Sequence, residues 1–207
     1  ANFIVSIIIQ QNIINIFLYD MYYTKAIMSN IRGIWRSYPL MFIVVATILS
    51  ISYNLYSLMF LIVLVIITSL LNKFVTKPCM LELFKLFNLE NVAMRPDGCV
   101  NSSNFINEFE PNKISTSYGM PSGHSLEAML ISAFLCMYII RTQEATYKRN
   151  INLVLVLLVG ISISYSRVIL GCHTHSQVIV GGLLGAIIGY YGYILWERWE
   201  RMDVFEK

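Results

Sequence analysis

Long apolar runs separated by short polar stretches dominate the chain. Five runs are long enough to cross a bilayer, because a membrane-spanning helix needs about 20 mostly apolar residues. They lie at about residues 38–54, 56–72, 120–140, 151–170 and 177–196. A further Ile-rich run at residues 3–19 is interrupted by amides, so it predicts either a sixth span or an amphipathic helix at the membrane surface. We predict an all-α fold, a polytopic membrane bundle of five to six transmembrane helices.

One polar stretch, residues 73–119, is much longer than the others. Polar stretches of this length in a small membrane protein are usually functional. Within it, residues 79–94 predict an amphipathic helix, and Asn101 begins an acceptor sequence for N-glycosylation if this side is lumenal. We predict one membrane-embedded domain, residues 1–207, in which residues 1–37 form an N-terminal amphipathic or first transmembrane segment.

Composition agrees with a membrane protein and excludes several other classes. The chain is 57% apolar and 13% charged, with a mean hydropathy of +0.62. Soluble domains carry about 25% charged residues, so a soluble enzyme, a disordered tail and a nucleic-acid binder are excluded. Four cysteines without a C-x-x-C motif give no zinc ribbon, although Cys79 and Cys99 share one polar stretch and could pair under oxidising conditions.

Small and aromatic residues add two structural expectations. Gly181, Gly185 and Gly189 recur every four residues, which predicts one helix face for close helix packing. Tryptophans near the ends of apolar runs are typical of interface anchors. These are Trp35, Trp196 and Trp199.

Ionisable and small residues meet at the mouths of the apolar helices in three places. They are Arg95-Pro96, Pro121-Ser122-Gly123-His124-Ser125, and Ser166-Arg167 followed by His173. The order of the spans puts all three on one membrane face. Two arginines, two histidines and a helix start on one face suit a tetrahedral oxyanion such as phosphate, and an Arg in or at the end of a span usually marks a site.

Each of these residues also has a purely structural interpretation. A Ser-Gly pair can simply cap a helix, and a single His at a membrane mouth is usually an ordinary interface residue. Zinc binding by His124, His173 and His175 is another alternative, although no carboxylate or thiolate has helical ligand spacing. Taken together, the three groups favour a functional site in which His175 is a bystander.

The two later groups resemble the second and third signature motifs of the type 2 phosphatidic acid phosphatase superfamily. Arg95-Pro96 resembles the end of the first motif, and the resemblance covers about residues 38–196. The flanks, from Tyr118 to Met120 and from Tyr165 to Gly182, are similar to those of dolichyl diphosphate phosphatases. Those enzymes and the glucose-6-phosphatases have Gln, here Gln177, where most of the superfamily has Asp.

The resemblance implies a phosphatase that needs no metal and no cofactor. His173 would attack phosphorus and form a phosphohistidine, while His124 would protonate the leaving oxygen and then activate water. Gln177, one helical turn after His173, would accept its imidazole N–H and fix the tautomer. The phosphoryl oxygens would be bound by Arg95, Arg167, Ser122, Gly123 and Ser166.

The first motif departs from the family pattern. The family has Lys seven residues before the Arg, where this chain has Asn88. Lys85 lies one helical turn earlier and is expected to bind the phosphate instead. Lys73 or Lys77 could do so only if the insertion folds back.

The predicted function is hydrolysis of a polyisoprenyl diphosphate, such as dolichyl diphosphate, to the monophosphate. Alternatives are a broader lipid or sugar phosphate phosphatase, and a non-catalytic lipid-binding relative, which Asn88 and Gln177 motivate. The expected partners are a lipid diphosphate or phosphate and membrane lipids, without nucleic acid. Lys and Arg outside the spans weakly favour a cytoplasmic active face; the resemblance implies the endoplasmic reticulum membrane with the site facing the lumen, and we adopt that orientation.

Overall fold

The computed structural model describes residues 42–52, 55–96 and 118–205, which belong to one compact unit, Tyr38–Lys207, and contain helices without strands. Residues 3–19, Trp35, Cys99 and Asn101 lie outside the described residues, so the expectations placed on them stay predictions. In chain order the helices are α1 (Phe42–Ser52), α2 (Tyr56–Leu71), a π-helical turn (Asn72–Thr76), α3 (Lys77–Leu86), α4 (Glu90–Ala93), α5 (Gly123–Thr142), α6 (Tyr147–Ile169) and α7 (His175–Phe205).

Four helical stretches are long and apolar enough to cross a membrane. They are Tyr56–Leu86, Gly123–Thr142, Tyr147–Ile169 and His175–Met202, and α1 is a shorter apolar helix. Most of their surface is apolar and exposed, as expected where the solvent is lipid. The predicted all-α polytopic bundle is confirmed.

The second span does not end where the apolar run ends. The sequence predicts that this span ends near residue 72, where the polar stretch begins. In the structure the helix continues from α2 through the π-helical turn into α3, and it ends at Leu86. The local change to π-helical hydrogen bonding just before Pro78 lets the helix accommodate the proline without ending. The polar segment therefore starts as a rigid extension of a span.

The expected amphipathic helix over residues 79–94 is interrupted. Asn88 has φ 55°, in the left-handed region that Asn tolerates better than most residues, and its N–H bonds the carbonyl of Lys85 at 3.0 Å. This turn ends α3, and the chain then reverses into the short helix α4. Position 88 is thus an exposed turn.

Helix α5 packs against α2, α6 and α7. The largest buried cluster joins side chains of α2, α5 and α7, namely Leu61, Val65, Leu130, Ile131, Phe134, Tyr193 and Trp196. Trp196 is only 4% exposed and its ring lies 5.6 Å from that of Phe60, so it is a core residue rather than the predicted interface anchor. Trp199 stays largely exposed.

The predicted glycine stripe on α7 lies directly against α5. A Cβ at any of its three glycines would collide with a backbone carbonyl at the start of α5 or within it, those of Ser122, Leu126 and Leu130 in turn. Helices in lipid associate through such close packing because lipid tails are as apolar as Leu. The stripe therefore sets the register of α7 against the start of α5.

Candidate active site

The end of α6 places the two residues of the third motif side by side. Gly171, with φ 65°, adopts the left-handed conformation that ends a helix. The backbone N–H groups of Cys172 and His173 then donate to the carbonyl of Arg167 at 3.1 and 3.2 Å. Arg167 is 1% exposed and His173 is 3% exposed. A buried guanidinium and a buried imidazole thus share one turn.

Gln177 fixes the orientation of the His173 ring. Its Nε2 donates to the carbonyls of Val92 and Met94 at 3.0 and 2.6 Å, so its Oε1 is left as the acceptor. That Oε1 lies 3.1 Å from Nδ1 of His173 and also accepts the Thr174 N–H at 3.3 Å. The network assigns the proton to Nδ1, so Nε2 of His173 carries the lone pair. This is the nitrogen that can attack an electrophile.

The start of α5 meets the start of α7 at the second motif. The N–H of Ser122 donates to the carbonyl of Gln177 at 3.1 Å. In the described chain no side chain caps α5, and the Ser122 hydroxyl accepts from Ser125 at 3.0 Å instead. A helix start without a side-chain cap leaves first-turn N–H groups to bind an oxyanion. Gly123 and half-buried His124 are the first two residues of this turn.

The segment before α5 crosses α4 and brings the first motif to the same place. Gly119 and Met120 both donate backbone N–H groups to the carbonyl of Ala93, at 2.8 and 3.1 Å. A Cβ on Gly119 would lie 2.5 Å from the amide oxygen of Gln177, so only glycine fits there. Arg95 lies two residues after the end of α4, and its charge contributes to lowering the pKa of His173.

The structure brings Lys77 to this group, and it leaves Lys85 outside. Lys77 lies at the first position of α3, donates to the carbonyl of Tyr118 at 3.0 Å, and interacts with Arg95 and Arg167. Lys85 is exposed and forms a 2.8 Å ion pair with Glu82. Lys85 was expected to replace the family lysine. The structure instead places Lys85 outside this group of residues and Lys77 within it.

Ser166 is also placed differently from the expectation. It is fully buried, but its hydroxyl donates to the carbonyl of Ile163 at 2.6 Å. Its O–H already donates within its own helix, so it is not available to donate to a phosphate oxygen. Of the residues expected to hold phosphate, Arg95, Arg167 and the Ser122-Gly123 turn come together around His173.

Burial and three cations keep the nucleophile candidate neutral. Desolvation first, and then Arg95, Arg167 and Lys77, lower the pKa of His173 from 6.5 to about 3, against the opposing effect of the hydrogen bond that His173 donates to Gln177. A neutral imidazole is the form that carries a free lone pair on Nε2. Burial and the positive surroundings thus favour an imidazole with a free lone pair at Nε2.

Sequence reasoning missed Glu127 and undervalued Lys77. Glu127 lies three residues after His124 and accepts the hydroxyl of Ser69 at 2.5 Å. An acidic residue inside an apolar span was the available signal. For Lys77 the signal was weaker, because its place depends on the length of the helix that carries it.

The histidines and cysteines near the site have the following surroundings. Among the residues that the structure describes, no three His, Cys, Asp or Glu side chains cluster as a metal site, and His175 is exposed beside Tyr165. The suggested pairing of Cys79 with Cys99 is wrong, because Cys79 is a free thiol. Cys172, next to His173, is disulfide-bonded.

Comparison with known proteins gives a family match and several relatives. Residues 53–201 match the PAP2 superfamily. The chain is 36% identical over 90 residues to dolichyldiphosphatase 1 of Homo sapiens (39% of this chain and 37% of the relative) and 36% identical over 91 residues to that of Mus musculus (40% and 38%). It thus spans less than two fifths of the length of these relatives, and no solved structure matches it.

The superfamily match covers most of the chain and includes all three groups that the fold brings together. The four long apolar helices are those of an integral membrane protein. Arg95, the turn at residues 121–124 and the pair formed by Arg167 and His173 occupy one end of this bundle. With the motifs in family order and their residues gathered at one site, the chain belongs to the PAP2 superfamily.

Proposed function

We propose that this protein hydrolyses the terminal phosphate of a polyisoprenyl diphosphate, such as dolichyl diphosphate, within the membrane. The observation that carries the proposal is the buried His173, whose Nε2 is left with the lone pair among three cations. Superfamily membership supports a lipid phosphatase, and relatives called dolichyldiphosphatase 1 support the substrate class. An apolar bundle suits a lipid tail that lies between helices while its head meets the polar end.

In the first step, Nε2 of His173 attacks the terminal phosphorus. A P–N bond forms while the bond from phosphorus to the bridging oxygen breaks, and His124 gives its proton to that leaving oxygen. The products of this step are a phosphohistidine and the isoprenyl monophosphate. Nδ1 of His173 keeps its proton, which Gln177 Oε1 accepts as a hydrogen bond throughout.

In the second step, water replaces the imidazole on phosphorus. His124, now neutral, takes a proton from the water molecule. At the same time the oxygen of that water forms the new bond to phosphorus. The P–N bond breaks, and its electron pair returns to Nε2 of His173. Inorganic phosphate leaves, and both histidines regain their starting protonation states. The residues of the chain complete this cycle without a metal or a cofactor.

Charge on the transferring phosphoryl group is balanced by Arg95, Arg167 and Lys77. Positively charged donors that are already in place stabilise the charge that develops in the transition state. Lys77 takes the part that the family pattern assigns to a lysine at position 88. The Ser122-Gly123 turn adds N–H donors at the start of α5.

The active end is proposed to face the lumen of the endoplasmic reticulum. The disulfide at Cys172 lies one residue from His173, and disulfides persist in oxidising compartments. The count of Lys and Arg outside the spans favours a cytoplasmic active face only weakly, because it includes Lys77 and Arg95, which belong to the proposed site and do not report orientation. We therefore give the disulfide more weight than this count.

The test is phosphate release by detergent-purified protein from a polyisoprenyl diphosphate, beside phosphatidic acid and glucose 6-phosphate, with EDTA present. We expect release that prefers the isoprenyl diphosphate and falls at least about 10³-fold in His173→Ala. Equal rates on all three substrates would favour a broader phosphatase. Absence of release from any of them would favour a non-catalytic relative, and loss by EDTA would overturn metal independence.

A further inference from the structure

The side chain of Asn72 carries a buried acceptor that the described part of the chain leaves unused. Asn72 is the first residue of the π-helical turn, directly after α2, and it is 4% exposed. Its Oδ1 has no hydrogen-bond partner among the described residues. Most buried polar atoms are hydrogen-bonded, so one without a partner calls for an explanation. A bound molecule with an O–H or N–H group can supply the missing partner.

This side chain faces the start of α5. Helices α2 and α5 pack together, and one turn before Asn72 the Ser69 hydroxyl donates to Glu127 of α5 at 2.5 Å. Asn72 and Gly123 form the next contact along the same two helices, because a Cβ on Gly123 would lie 3.4 Å from the amide nitrogen of Asn72. The amide therefore lies beside the uncapped first turn of α5, whose second residue is His124.

An acceptor at this place meets a need of the second chemical step. The attacking water carries two O–H groups, and His124 takes the proton from one of them. The other O–H stays on the oxygen that bonds to phosphorus, and an acceptor for it would keep the water oriented towards the phosphohistidine. Phosphoryl oxygens need donors instead, such as Arg95 and Arg167. An unpaired amide oxygen therefore fits the water better than the phosphoryl group.

We propose that Asn72 is a further catalytic residue, whose Oδ1 accepts the second O–H of the water that hydrolyses the phosphohistidine. This inference rests on the proposed function, because it needs a phosphohistidine and His124 as the base. The water oxygen bonds to phosphorus, one proton passes to His124, and the P–N electron pair returns to Nε2 of His173. The O–H that Asn72 holds stays on the departing phosphate, so Asn72 neither gains nor loses a proton.

The test is single-turnover hydrolysis, by the detergent-purified full chain, of an isoprenyl diphosphate with a radioactive terminal phosphate. Rapid quenching in base preserves phosphohistidine and gives separate rate constants for its formation and its decay. Asn72→Leu keeps nearly the same shape and removes the acceptor. We expect decay to slow by about tenfold or more while formation stays within about threefold, so that phosphohistidine accumulates.

Two further measurements separate this role from a structural one. Asn152→Leu is the matched control, because the exposed Asn152 amide donates to Gln143 at 3.0 Å at the other end of the bundle; it should leave both rate constants unchanged. The thermal unfolding midpoint of Asn72→Leu should stay the same or rise, because an acceptor without a partner in the described chain is replaced by an apolar group.

Unchanged decay in Asn72→Leu would overturn the proposal. Formation and decay slowed to the same extent would also overturn it, and would make Asn72 a phosphate ligand. A midpoint lower by more than about 5 °C would overturn it in favour of a structural role. Absence of phosphohistidine from the unaltered protein would reject the two-step route of the proposed function as well, whereas its presence beside any of these results overturns this inference alone.

Discussion

At the scale of single residues, the side-chain amide of Gln177 makes contacts that a carboxylate could not make. Its Oε1 accepts from His173, and its Nε2 donates to two backbone carbonyls. Most of the superfamily is expected to carry Asp there, which could accept from the histidine but could not donate to carbonyls. The first-motif backbone at Val92 and Met94 is therefore held in place by an amide.

We predict that Gln177→Glu lowers kcat by about 10²-fold or more and destabilises the protein. The carboxylate would face two carbonyls that lose their donors, and each unsatisfied buried group costs about 1–3 kcal/mol. Phosphate release and the thermal unfolding midpoint measure the two effects. A fully active Gln177→Glu protein would mean that charge at this position matters more than the contacts to α4.

His173 also predicts a pH dependence of stability. Its pKa is about 3 in the folded protein and 6.5 for an unperturbed histidine, as in the unfolded chain. Between these two pH values the unfolded chain therefore binds more protons than the folded one. Stability from this group is complete above pH 6.5 and is lost as the pH falls towards 3. Between pH 7 and pH 5 the loss is about 2 kcal/mol.

The unfolding midpoint in detergent at the two pH values measures this loss. His173→Gln cannot titrate at this position, so its midpoint should fall less between pH 7 and pH 5. An equal fall in both proteins would show that folding does not lower the pKa of His173.

At the scale of elements, the continuous helix from Tyr56 to Leu86 decides which lysine serves the site. Its π-helical turn at residues 72–76 carries Lys77 to the carbonyl of Tyr118, while Lys85 ends on the exposed side. A π-helical turn inserts a residue without ending the helix, and such turns often occur at functional sites.

We predict that Lys77→Met raises KM and lowers kcat/KM by about 10–100-fold, because one cation facing the phosphate is lost. Lys85→Met, a matched change eight residues along the same helix, should stay within about twofold. Steady-state kinetics on the isoprenyl diphosphate measure both. The reverse pattern would restore Lys85 as the phosphate ligand and contradict the position of Lys77.

At the scale of the whole molecule, the site occupies one end of the bundle, where α5 and α7 begin and α6 ends. The helix starts, buried Arg167 and half-buried Lys77 and Arg95 make this end electropositive. At the other end, Glu197 pairs with Arg141 and Arg201. Such polarity suits an enzyme that takes an anionic lipid head from one membrane face only.

Orientation gives the prediction at this scale. In microsomes the acceptor sequence at Asn101 should be glycosylated if the active end is lumenal, and Asn101→Gln should remove the mass shift. Glycosidase digestion and gel mobility measure it. An engineered acceptor sequence in the α5–α6 loop, at residues 143–146, serves as the reciprocal control, and its modification in place of Asn101 would contradict the lumenal orientation.

The sequence alone determined the bundle, the common end of the three motifs and the pairing of His173 with Gln177. Hydrophobic length and helical spacing are local properties, and a four-residue separation puts two side chains on one helix face in any fold. The glycine stripe is readable for the same reason. Only the tertiary structure decided that Lys77 belongs to the site, that Trp196 is core and that Glu127 bonds Ser69. Each of these depends on how far a helix continues or which helix lies opposite, and those are set by packing between segments distant in sequence.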